Sequence, residues 1–345
     1  MSDLQVIDAH THIMRSVAHG REAHTYYYGR GPATGHPVEP VCYGTVDEVL
    51  ELMAQTGVVH TNFLNYTWSG KYYAHGQYTL PDDPARRALA DRELRGRISQ
   101  RIRDNNEWAL SVIREHPNLS FFCGIDPVVM SPSELIEEVA DKTARGALGV
   151  KIVPIDLKIR GDDRRLWPVY EFCQARGLPI YSETSGRPGA PGRPAYFGEA
   201  LAEFPKLQLI FSHMGHNPEF GEGADQEVVD LARRYEGVHA DVSLRFTEVT
   251  LGQVTPGQMV AHLRRVGTDR LLYGSNYHFV EMHHPDPLPP GGEPTRPQMT
   301  QTKAALRVLK TLPLTERERD QLAGENFKRV TGLKAPSTEG VGTPS

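Results

Sequence analysis

Two histidines open the chemistry of this chain. His10 and His12, in the run IDAHTHIM over residues 7–14, stand two apart. In an extended strand alternate side chains share a face, so both imidazoles can converge on one point. Two neutral imidazoles at ~2.0–2.1 Å suit zinc or a similar divalent ion. The plainer alternative is a polar strand end with two satisfied histidines. Polar groups also close other apolar runs. Ser182, Glu183 and Thr184 end one, Ser212, His213 and His216 another, and Ser275 and Asn276 a third, LLYGSNYHF over residues 271–279. Glu183 and His213 are residue types that move protons, although Glu183 could instead pair with Arg187 and His213 could simply pack. Lys151 sits on a further apolar run. A lysine salt-bridged inside the fold is the simpler reading there, and a carbamylated lysine bridging two metals the sharper one.

Such groups work together only if the fold gathers them. Short apolar runs at 4–8, 58–66, 119–127, 147–154, 178–184, 207–215, 238–244 and 270–277 read as eight strands. Helical patterns separate them, at 45–57, 83–116, 131–146, 166–177, 196–205, 227–237 and 256–267, with closing helices near 297–311 and 315–331. Thr45 with Glu48 predicts a capping box for the first of these, and Gly57 its end. Strands separated by helices imply parallel pairing through right-handed crossovers, and eight such units in one domain imply a (β/α)8 TIM barrel over residues 1–333. Active sites of such barrels lie at the C-terminal strand ends, where the polar groups above fall. Residues 15–44, rich in Gly, Pro, Tyr and His, read as a long ordered loop. The proline-rich 278–299 reads as a loop over the barrel mouth, and residues 334–345 as a disordered tail.

Composition narrows the partners. Hydrophobic residues make up 39% and charged residues 23% of 345, as in ordinary globular chains. A net charge of −5 offers no basic footprint for nucleic acid. Cys42, Cys123 and Cys173 are scattered, which speaks against a disulfide framework. The N-terminal MSDLQVIDAH lacks the pattern of a secretory signal, and no apolar run reaches the ~18 residues of a membrane span. The expectation is a cytoplasmic protein acting on a small molecule, with no nucleic acid or membrane partner.

The blocks VIDAHTHIM, LWPVYEFCQARGLPIYSETSG, EFPKLQLIFSHMGHN, HADVSL, DRLLYGSNYHF and ENFKRVTGL, in this order, resemble the amidohydrolase superfamily. The likeness is to its amidohydrolase-2 branch, with the amino-carboxymuconate-semialdehyde and aromatic-acid decarboxylases, and it spans about residues 4–333. The resemblance implies that the histidine pair supplies two metal ligands. A histidine ending strand five supplies a third, an aspartate ending strand eight a fourth, and the strand-six histidine is an acid/base beside the metal. His10, His12 and His213 match. Glu183 stands where the pattern has histidine, and Asn276 where it has aspartate.

Two readings of that departure follow. In the first the charge has moved: His10, His12 and Glu183 bind a divalent metal, zinc first, with manganese or iron as alternatives, and Asn276 or water completes the shell. His213 is then the general base. In the second the site is metal-free, and Glu183 and His213 do acid/base work directly. A barrel that only binds a ligand is a third outcome. The implied activity is hydrolysis of a C–N or C–O bond in a small organic molecule, with decarboxylation of an aromatic or unsaturated acid as the alternative. The segments 24–31, 65–78 and 276–284 are rich in Tyr, Trp and His, which suits a planar substrate; packing of the loops or a dimer contact would use the same residues. Tyr277, His278, Arg187 and Lys151 are the candidate substrate contacts. A homodimer is expected from the resemblance alone.

Overall fold

The computed structural model describes residues 4–28, 40–216, 223–283 and 299–334. Eight strands run β1 (Val6–Thr11), β2 (Val58–Leu64), β3 (Leu119–Gly124), β4 (Gly149–Ile152), β5 (Ile180–Ser182), β6 (Leu209–Phe211), β7 (Val238–Asp241) and β8 (Leu271–Leu272). Each pairs in parallel with the next, in the order of the sequence. The ring closes between its first and last strands. Ala9 N donates to Tyr273 O (2.8 Å), Asn276 N to His10 O (2.8 Å) and His12 N to Tyr277 O (2.6 Å). The expected eight-unit (β/α)8 barrel is therefore the observed one.

Two apolar layers hold it. Inside the ring Ile7, Ala9, Leu64, Phe122, Tyr181, Ile210 and Leu272 meet, and the closing helix Asn326–Thr331 adds Phe327 and Val330. Outside, residues of opposite parity such as Phe121, Cys123, Val150 and Phe211 pack against the helices. This split is the two-residue period of buried strands. The predicted capping box is present: Thr45 accepts from Glu48 N, the Glu48 side chain returns to the Thr45 amide, and Gly57 ends the helix Val46–Thr56 in the left-handed region.

Three sequence expectations change. Residues 15–44 are not one loop, because Val17–Tyr28 is a helix. Residues 278–299 are not all loop, because Phe279–His283 is a short helix; residues 284–298 and the tail from 335 lie outside the described residues. Strands six and eight stop earlier than expected. After strand six His213 and Met214 have φ of 58° and 53°, and a left-handed residue cannot continue an extended ladder. Strand eight ends at Leu272, and past the left-handed Asn276 (φ 59°) the chain makes only an isolated bridge, Tyr277 to Thr11. The chain turns at the very positions that carry the polar groups.

Candidate active site

β1 delivers His10 and His12 to the mouth, and its register against β2 shifts between Asp8 and Thr11. Both imidazoles are buried, and their Nε2 atoms lie 3.1 Å apart. His213, on the turn after β6, stacks on His10 with ring centroids 5.1 Å apart. The residue that organises all three elements is Asp241, at the end of β7. Its Oδ2 accepts from His10 Nδ1 (2.8 Å) and from the Tyr181 hydroxyl (2.6 Å). Its Oδ1 accepts from the backbone amides of His213 (3.0 Å) and Ser243 (2.8 Å) and from the Ser243 hydroxyl.

These bonds fix where the protons sit. Burial alone would raise the Asp241 carboxyl, but His10, His213 and Ser243 outweigh it and hold the group far below its ordinary range. An ionised carboxylate only accepts. His10 must then carry its proton on Nδ1, which leaves Nε2 as a bare lone pair. Because the Ser243 hydroxyl donates to Asp241, its oxygen accepts from His213 Nδ1 at 2.7 Å. His213 Nε2 is bare as well. Burial lowers His10 and lowers His213 to about 3, so both rings are neutral near pH 7. Asp241 thus sets the His10 tautomer, and the Ser243 hydroxyl and carbonyl (3.2 Å) together set that of His213, an arrangement that prepares histidines for metal or proton.

Among the described residues, one group of three His, Cys, Asp or Glu side chains has its ligand atoms all within 4.8 Å of one another: His10, His213 and Asp241. His12 and Glu183 stand outside it. Asp241 has no lone pair left for an ion, since its two oxygens already accept five bonds, so it serves as the orienting carboxylate. The Nε2 lone pairs are the atoms that fit a cation. Donor atoms sharing an ion at ~2.0–2.1 Å lie roughly 3–3.4 Å apart, and the His10–His12 separation matches.

The other expected residues are placed as follows. Glu183 follows β5 and is half-buried, with its amide donating to Ile152 O (3.0 Å). Asn276 is buried beside the end of β1, where its backbone N–H donates to His10 O. Lys151 is buried inside the barrel, and burial pulls it down to about 8 against the attraction of Glu183 and Asp241. His278 lies behind His12, its Nδ1 3.1 Å from His12 O, and its ring packs on that of Phe279 with centroids 4.6 Å apart. Arg187 is at the surface. Tyr277 turns away: its hydroxyl meets Glu48 on the helix outside the ring at 3.4 Å, so the structure does not bring it to the substrate side. Its place is taken by Tyr66, edge-on to His12 at 5.7 Å, and Phe279 at 4.6 Å. Beyond Tyr66 and Trp68 opens a cleft of ≈ 420 Å³, lined in part by Arg15, His19, Tyr72 and Arg101. Neither His10 nor His12 lines it. Asp241, Tyr181 and Ser243 were absent from the sequence reading, and D-x-S at a strand end, with the same spacing as H-x-H, was the available signal.

An amidohydrolase family model matches residues 7–333. The chain belongs to the amidohydrolase family. No curated protein sequence matches this amidohydrolase. Solved structures do. A 5-carboxyvanillate decarboxylase from Sphingomonas paucimobilis aligns over 96% of this chain and 100% of its own, with 15% identity and a TM-score of 0.58. A 2,6-dihydroxybenzoate decarboxylase from Rhizobium aligns over 95% and 98%, with 14% identity and a TM-score of 0.58. A dihydroxybenzoic acid decarboxylase from Polaromonas sp. JS666, with bound manganese and the inhibitor 2-nitroresorcinol, aligns over 95% and 97%, with 13% identity and a TM-score of 0.58. At such identity the likeness is one of fold. No helix among the described residues is long and apolar enough to cross a membrane.

Proposed function

We propose that this amidohydrolase is a metal-assisted hydrolase that cleaves a C–N or C–O bond in a small planar substrate. The observation that carries the reading is the buried His10–His12 pair, 3.1 Å apart at Nε2, with the far nitrogen of His10 fixed on Asp241. His10 and His12 would hold the ion, zinc first and manganese or iron(II) with the same donor types, and Glu183, Asn276 or water would complete its shell. When bound, such an ion polarises a carbonyl and lowers the pKa of water. The chain's own residues do the rest. His213, locked with its proton on Nδ1 by Ser243, offers bare Nε2 as the base and then returns that proton to the leaving atom. Tyr66 and Phe279 wall the site with rings that fit a flat substrate and exclude water.

A second reading is decarboxylation of an aromatic or unsaturated acid, in which His213 delivers a proton to the carbon that loses CO2. The fold shared with three aromatic-acid decarboxylases, one holding manganese, favours it. Elemental analysis of protein purified without chelator tests the common premise. About one divalent ion per chain is expected, lost in His12→Ala. Loss in Glu183→Ala as well would make Glu183 a ligand. Absence of metal even after addition of zinc or manganese would overturn the reading in favour of metal-free acid/base chemistry by Glu183 and His213. With metal present, release of amine or alcohol from aryl amides and esters, against CO2 release from hydroxylated benzoates, separates the two reactions.

A further inference from the structure

Lys151 is the third residue of β4 and is 1% exposed. Its register partner on β5 is Tyr181, which sends its hydroxyl across the interior to Asp241. Paired residues on neighbouring strands face the same side, so Lys151 enters the same interior layer. Its ammonium lies 5.3 Å from the centroid of the Tyr181 ring, whose centroid in turn is 5.5 Å from that of His10, so the charge stands among the mouth groups.

An ammonium has three donors. Among the described residues, none of them finds a hydrogen-bond acceptor. Asp241 is already spent on His10, Tyr181, His213 and Ser243. Glu183 attracts Lys151 without a hydrogen bond to it. The strand-eight end offers Asn276, a neutral amide. The mouth therefore holds a buried cation with donors unspent, an arrangement that is costly until something accepts from it.

We propose that Lys151 anchors an anionic group of the substrate, a carboxylate, and that this amidohydrolase selects small organic acids over their neutral analogues. The inference rests on the barrel mouth being the substrate site and is independent of which bond breaks there. Lys151 is a positioning residue: it touches the non-reacting end of the substrate and sets KM and acid-against-amide preference more than the chemical step.

The test is thermal unfolding of the protein as purified, with acetate and benzoate against acetamide and benzamide at matched ionic strength. Wild type, Lys151→Met and Lys151→Arg are compared, and metal content is measured on each sample. The expected result is that the acids, and not the amides, stabilise wild type. Lys151→Met should lose that response by roughly tenfold or more in apparent affinity, and Lys151→Arg should keep the preference. The acid-free Lys151→Met protein should melt no lower than wild type, since it sheds a buried ammonium whose donors have no acceptor. Acid stabilisation equal in wild type and Lys151→Met would overturn the proposal. So would an acid-free Lys151→Met protein that melts well below wild type, because Lys151 would then be a structural partner of Glu183. No acid preference in wild type would overturn it too. A metal-free protein that still prefers acids through Lys151 refutes the metal reading and keeps this one; a metal-bearing protein without the preference does the reverse.

Discussion

Asp241→Asn is the sharpest perturbation of this site. The substitution keeps size and shape but turns one acceptor oxygen into a donor. Oδ1 faces the backbone amides of His213 and Ser243, which cannot move, so the new amino group must take the Oδ2 side. There it meets His10 Nδ1 and the Tyr181 hydroxyl, both donors. Tyr181, fully buried, is left without its acceptor. His10 can relieve the clash only by accepting at Nδ1, which moves its proton to Nε2, the atom that faces His12. One lost bond to a charged acceptor and one stranded donor in a dry site cost about 3–5 kcal/mol. At about 2 °C per kcal/mol for a domain of this size, the melting temperature falls by roughly 6–10 °C. The tautomer change weakens binding of a divalent ion by about 10–100-fold or more. Thermal melts and competition with a chromophoric chelator read both quantities. An Asp241→Asn protein that melts within about 2 °C of wild type and keeps its metal affinity would sink the argument that one carboxylate programmes the site.

Three further outcomes are expected. Burial raises Asp8 to about 7, against bonds from Ser275 and His10 that lower it. A carboxyl raised in the folded state binds a proton that the unfolded chain has released, so this group lowers stability progressively between about pH 4 and 7 by up to ~4 kcal/mol. Asp8→Asn keeps the oxygen that accepts from both amides, and urea melts at pH 5 and 8 should show the slope reduced in the variant; an unchanged slope would assign it elsewhere. Ser243→Ala removes the 2.7 Å hydroxyl acceptor of His213 Nδ1 but leaves the Ser243 carbonyl at 3.2 Å, so the tautomer is kept on a looser ring. The kcat should fall by about 10-fold or less with about 1–2 kcal/mol of stability lost, read by turnover beside denaturant melts. Gly274→Ala would place a Cβ 2.6 Å from His10 Cβ and 3.3 Å from Ser243 Cβ, so about 1–3 kcal/mol of overpacking and a loss of metal are expected together; a stable variant with full metal content would contradict the placement of His10.

Much of this protein is written locally. The alternation of short apolar runs with helical patterns is a property of consecutive residues, and it sufficed for the barrel, the capping box at Thr45 and the position of the mouth. The H-x-H spacing placed His10 and His12 together for the same reason: two residues apart on a strand, they need no distant partner to share a face. The helix Val17–Tyr28 escaped because VAHGREAHTYYY has no clear apolar period; the burial of Ala23 and His24 against the rest of the fold reveals its place.

What decides the chemistry is not local. Asp241 reaches His10 across 231 positions of sequence, and only that contact fixes which nitrogen carries the proton. No run of residues around Asp241 announces that its oxygens are full, that Lys151 on another strand is therefore left with unspent donors, or that Tyr277 faces outward to Glu48. The sequence determined which groups stand at the strand ends. Closing the ring decided which of them are spent on one another and which remain for a ligand, because lone pairs and donors are counted only where distant strands meet.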